Sequence, residues 1–142
     1  MISFFKKKET DMTDNNESFL KITALLIHAA KIDEIYTVEE EKIIIKTLLD
    51  LGAKSTNIDK LISDATLIEE NANQILGFTR EIKSIPESDK IKIIESLWKI
   101  IYSNNKIDVY EANLMRRLAG LLYVDAKTMG NLKEKIKKEL LK

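Results

Sequence analysis

Asp33 and Glu40 are carboxylates seven positions apart, on either side of a predicted tight turn, close enough to converge on one point. Farther along, Asn104, Asp108 and Glu111 offer a comparable set of oxygen side chains. Donors that are all oxygen suit a hard cation such as Ca²⁺ or Mg²⁺. The candidate metal ligands are therefore Asp33, Glu40, Asn104, Asp108 and Glu111. Most of them also suit another task. Thr37-Val38-Glu39-Glu40 has the form of a capping box, in which Thr37 caps a helix and Glu40 reaches back to the Thr37 N–H. Asp108 and Glu111 form a second capping pair, and Asp33 and Asn104 fit as turn residues. Cation binding and helix capping both remain open at these positions. An EF-hand is excluded, because the twelfth residue counted from Asp33 is Ile44 and from Asn104 is Met115, where that loop needs a bidentate Glu.

Other chemistry is largely excluded. The single histidine, His28, lies in an apolar run, and Leu25 three residues before it removes the Glu-x-x-His signature of di-iron bundles. A packing role is expected for it. The absence of cysteine rules out disulfides, thiolate metal sites and cysteine nucleophiles, and fits a reducing, cytoplasmic setting. There is no Gly-x-Ser-x-Gly element and no glycine-rich phosphate loop, so the chain is not expected to be an enzyme or to take a small-molecule substrate. Lys plus Arg and Asp plus Glu are equal at 23 each, so no net charge draws the protein to nucleic acid.

These residues must be positioned by helices. Hydrophobic residues make up 44% of the 142 and charged residues 32%, with one proline and four glycines, a composition for long helices and few turns. Phe19 to Ala30 is apolar on most sides, as a central helix should be. A capped helix follows through Ile43, Ile44, Leu48 and Leu51, with Gly52 suited to its stop. Ser55 or Thr56 can open the next helix, carrying Ile58, Leu61, Ile62 and Ala65. A short helix holds Ile75, Phe78 and Ile82. Pro86 fits the first turn of a helix with Ile91, Ile94, Leu97, Trp98 and Ile101. The last two helices carry Leu114, Met115, Leu118 and Leu121, then, behind an Asp125 cap, Met129, Leu132 and Ile136. The expectation is an all-α, compact bundle of about seven helices, with Phe19, Phe78 and Trp98 in the core. The Lys-rich end (Lys133, Lys135, Lys137, Lys138, Lys142) reads as a solvated face.

A shift of 71 positions superposes the two halves of this pattern: Leu26 on Leu97, Asp33 on Asn104, Val38 on Val109, Glu40 on Glu111, Leu61 on Leu132. A long period in only two copies indicates a duplicated domain rather than a solenoid. Residues 1–16 read as a flexible leader, and 17–142 as one helical domain with internal halves at about 17–72 and 86–142. Within the leader, Phe4-Phe5-Lys6-Lys7-Lys8 has the makings of a peripheral membrane or partner contact.

Two stretches resemble the acidic turns of the TerB-like (tellurite-resistance) family, in which an apolar helix ends in Ala-x-x-Asp-Gly and a Glu stands in the first turn of the next helix. They are Ala29-Ala30-Lys31-Ile32-Asp33-Glu34-Ile35-Tyr36-Thr37-Val38-Glu39-Glu40 and Ile101-Tyr102-Ser103-Asn104-Asn105-Lys106-Ile107-Asp108-Val109-Tyr110-Glu111. Phe78-Thr79-Arg80-Glu81-Ile82 and Leu97-Trp98-Lys99-Ile100-Ile101-Tyr102 add to the resemblance, which spans roughly residues 18 to 140. It implies a helical bundle, divalent-cation binding at the acidic turns, and a link to tellurite and other chemical stress. The same fold resembles the N-terminal domain of membrane-anchored DnaJ-like co-chaperones, which implies an alternative role as a protein-interaction or membrane-peripheral adaptor with no metal. The sequence departs from the family pattern in having Glu34 and Asn105 for the glycine and Asn104 for the second Asp. The first turn is thus the stronger cation candidate by charge.

Overall fold

The computed structural model describes residues 17–32, 36–71, 76–103 and 109–140. The leader with Phe4-Phe5-Lys6-Lys7-Lys8, together with Asp33, Ile75, Asn104, Asp108 and Lys142, lies outside the described residues. Seven α-helices and one 3₁₀ turn make up the described structure, with no strand among them: α1 (17–30), α2 (Val38–Asp50), a 3₁₀ turn (Ser55–Asn57), α3 (Ile58–Glu70), α4 (Leu76–Ile82), α5 (Glu87–Tyr102), α6 (Val109–Leu121) and α7 (Ala126–Leu140).

Helices α1 and α5 are central because each buries a wide apolar face. Residues 22–27 of α1 are all buried, as are Ile93, Ile94, Leu97, Trp98, Ile100 and Ile101 of α5. A buried Leu or Ile contributes about 1.5–3 kcal/mol by leaving water. Both helices feed one core, to which α2, α3, α4, α6 and α7 add a single stripe each. Helix α5 packs against α2 and α7, and α4 packs against α6. Phe78 is buried and Phe19 partly buried against the same cluster, as expected.

The helix bounds repeat. A shift of 71 carries Val38–Asp50 onto Val109–Leu121, and the 3₁₀ turn with α3 onto α7 to within a residue at the far end. The stops repeat in hydrogen-bond detail. After α2, the Gly52 N–H donates to the Leu49 carbonyl at 3.0 Å and the Ala53 N–H to Leu48 at 2.9 Å. After α6, Tyr123 donates to Gly120 at 3.3 Å and Val124 to Ala119 at 2.9 Å. This paired closure places its middle residue in the left-handed region, φ +106° at Gly52 and +59° at Tyr123.

Two boundaries differ from expectation. Neither Ser55 nor Thr56 caps α3; the chain enters it through the 3₁₀ turn, with the Asn57 N–H donating to Lys54 at 2.9 Å. Pro86 is the residue before the first turn of α5, its carbonyl accepting from the Asp89 and Lys90 N–H groups at 3.1 and 3.0 Å. Its ring lacks an N–H that this position would leave unbonded in any case. The Asp125 cap is present, with the Thr128 N–H donating to its carboxylate at 2.7 Å. That bond, first among the causes, lowers the Asp125 pKa.

Where α2 meets α5, the buried Thr47 and Ser96 hydroxyls bond to each other. Each also bonds a carbonyl of its own helix, Thr47 to Ile43 at 2.7 Å and Ser96 to Lys92 at 3.0 Å. No helix among the described residues is long and apolar enough to cross a membrane.

Candidate cation site at the acidic turns

The capping box of the first turn is complete. Thr37 stands in an extended conformation, φ −94° and ψ 163°, which turns its side chain over the helix start. Its hydroxyl oxygen accepts the Glu40 N–H at 3.1 Å. In return, Oε1 of Glu40 accepts the Thr37 N–H at 2.8 Å and the Thr37 Oγ1–H at 3.1 Å. Glu40 is only 2% exposed, unlike its neighbours Glu39 and Glu41, so this carboxylate is held in one orientation at the positive end of α2.

Beside it lies an unsatisfied group. The Tyr36 hydroxyl is buried with no hydrogen-bond partner, a costly state for a polar atom. Its pKa is pushed up to about 12, chiefly by burial and then by the negative charges of Glu41 and Glu40. Glu40 offers about four acceptor positions, of which Thr37 takes two, and has contacts beyond Thr37 as well.

Of the five candidate ligands, only Glu40 has its side chain among the described residues. Asp33, Asn104 and Asp108 lie outside the described residues. Glu111 falls in the first turns of α6, with its side chain outside them too. Among the described residues, no three His, Asp or Glu side chains gather as a metal-binding group.

His28 is half-buried and its Nδ1 sits 3.2 Å from Oε2 of Glu69 on α3. Oε1 of the same carboxylate accepts from Lys31 at 2.9 Å. The Glu69 hydrogen bond, first among the causes, raises the Lys31 pKa. A carboxylate already neutralised by a lysine is a poor metal ligand, so this cluster is a clasp between α1 and the end of α3. Local sequence carries no signal for it, since Glu69 is 41 residues from His28.

The sequence also hid a groove. Trp98 is buried as expected, at 6% exposure, yet it lines a surface depression of about 240 Å³ between α6 and α7. Lys133, expected on a solvated face, is half-buried with its ammonium 5.7 Å from the Trp98 ring centre.

The family model described as tellurite resistance protein TerB matches residues 19–134, which take in both acidic turns, the clasp and the groove. No curated protein and no solved structure matches the chain.

Proposed function

The chain belongs to the TerB family, and from that premise we propose that it is a non-enzymatic binding module of the tellurite and chemical stress response, holding a divalent cation at its first acidic turn. The observation that supports this is the buried Glu40 carboxylate, oriented by Thr37, next to a Tyr36 hydroxyl without a partner. Asp33, seven residues before Glu40, supplies the second charge. The cation adds to folding free energy because the unfolded chain has no such arrangement.

Thermal unfolding with Ca²⁺ or Mg²⁺ at millimolar concentration tests this. A ligand at about 100 times its Kd stabilises by about 2.7 kcal/mol, and at this size each kcal/mol raises the Tm by roughly 2–4 °C or more. The pair Asp33→Asn and Glu40→Gln should abolish the rise. Gln at position 40 still completes a capping box, so the metal-free Tm changes little. A wild-type melting curve unmoved by either ion sinks the cation role. The groove beside Trp98 favours the second function, a protein-interaction adaptor.

A further inference from the structure

We propose that the groove between α6 and α7 is a docking site for an amphipathic helix of a partner protein, one whose apolar face is flanked by Asp or Glu. This uses none of the candidate cation ligands and does not rest on cation binding.

The groove is built for close approach. Helix α6 contributes Ala112 and Ala119, helix α7 contributes Ala126 and Gly130, and Trp98 lies beneath with an indole N–H that has no partner. Gly130 is in a helix interior, where glycine is disfavoured relative to alanine. A Cβ added there meets no heavy atom within 4 Å, so packing within the chain does not require the glycine. An approaching backbone would. At about 240 Å³ and open to solvent, the space is smaller than the usual pocket for a drug-sized molecule, and it suits a few side chains laid into a groove.

The other half of the molecule carries larger apolar side chains at three of the matching positions. By the 71-residue shift, Ala119 corresponds to Leu48, Arg116 to Ile45 and Lys133 to Ile62. Leu48 is fully buried, and Ile45 and Ile62 pack against the core. At these three positions the second half has less apolar bulk and two cations, and where Ala112 and Gly130 stand the first half has the carboxylates Glu41 and Asp59.

Those cations choose the partner. Arg116 and Lys133 line the groove, and no Asp or Glu among the described residues does. Arg116, Arg117 and Lys133 form no ion pair among the described residues. An apolar helix with acidic flanks places its anchors over the small residues and its carboxylates on these groups, whereas one with basic flanks is repelled.

Trp98 is the sole tryptophan, so its fluorescence and its indole N–H resonance report occupancy directly. The probe is a capped synthetic helix of about four turns, with Leu along one face and Glu on both flanks, compared with the same peptide carrying Lys. Both are titrated into the full chain. The Glu-flanked peptide should shift both Trp98 signals and bind roughly tenfold or more tightly than its Lys counterpart, with affinity falling as salt rises. Arg116→Glu with Lys133→Glu should reverse the preference. Gly130→Leu should block binding while the circular dichroism melt is unchanged or higher, which separates a filled groove from an unfolded protein. Equal binding of the two peptides, unmoved Trp98 signals at saturation, or undiminished binding to the folded Gly130→Leu variant overturns the proposal. So does a Trp98 response to vesicles of anionic phospholipid in the absence of any response to peptide.

Discussion

The two halves of the molecule share a backbone and have divided the chemistry. In the first, α2 is opened by the box of Thr37 and the buried Glu40, and α1 is tied to α3 by the His28, Lys31 and Glu69 clasp. In the second, the position matching Glu69 is Leu140, and a cation-rimmed groove opens over Trp98 between α6 and α7. What survives best between them is main-chain bonding, such as the paired closure at residues 48–53 and 119–124. Backbone donors and acceptors have to be satisfied in any helix end, whereas side chains at the surface are free to diverge.

The largest expected effect tests whether the core is shared evenly. Leu26 and Leu97 occupy matching positions and are both fully buried. Leu26→Ala and Leu97→Ala should each cost about 2–5 kcal/mol in urea unfolding. Costs that agree within about 1 kcal/mol, a small part of that range, mean an even division; a larger gap shows that one half dominates.

The closures should respond in opposite directions. Gly52→Ala forces a side chain into positive φ and should cost about 1–2 kcal/mol. Tyr123→Gly removes a strained non-glycine residue and should gain at most about 1 kcal/mol. The gain is limited because the Lys83 ammonium, 5.3 Å from the Tyr123 ring, loses its contact. Paired thermal melts read both, and a destabilising Tyr123→Gly would mean that this contact outweighs the strain.

The smallest effects appear against pH. Lys31 and Tyr36 both have raised pKa values, so what they contribute is present below their ordinary pKa values of 10.5 and 10.0 and fades as pH climbs through the folded ones, about 12 for Tyr36. Tyr102, raised by burial and then by Glu134, adds to the same alkaline limb from the second half. Asp125 is lowered, so its contribution is present above 3.8 and disappears as pH falls through its folded pKa. Glu69→Gln should lower the Tm only slightly, under about 1 kcal/mol for a partly exposed pair, and most of that loss should vanish above the Lys31 pKa. A loss that persists undiminished there would make the clasp a packing contact rather than an ionic one.

Features that depend on near neighbours in sequence were legible there. Thr37 and Glu40 are three apart and cap as expected, Asp125 caps, and the two apolar runs are central because each carries a wide apolar face. Gly52 announced its own left-handed turn, but Tyr123 gave no such sign, since tyrosine has no preference for positive φ; only its place 71 residues beyond Gly52 pointed to it. The clasp depends on a carboxylate 41 residues away, and periodicity carries no information over that distance. The groove was invisible for a different reason. Alanines in a helix read as helix formers, and what they leave empty is known only when two helices are set side by side.

The hydroxyls of Thr47 and Ser96 have between them two protons and three contacts to serve: one carbonyl on each helix, and each other. When one hydroxyl donates to the other, the second donates to its own carbonyl, so two directions of the hydroxyl–hydroxyl bond are open. Slipping α2 along α5 by a single residue, about 1.5 Å, would leave the greasy contacts nearly as good and part the hydroxyls. The pair therefore acts as a notch that adds a directional contact to the apolar packing of one half on the other.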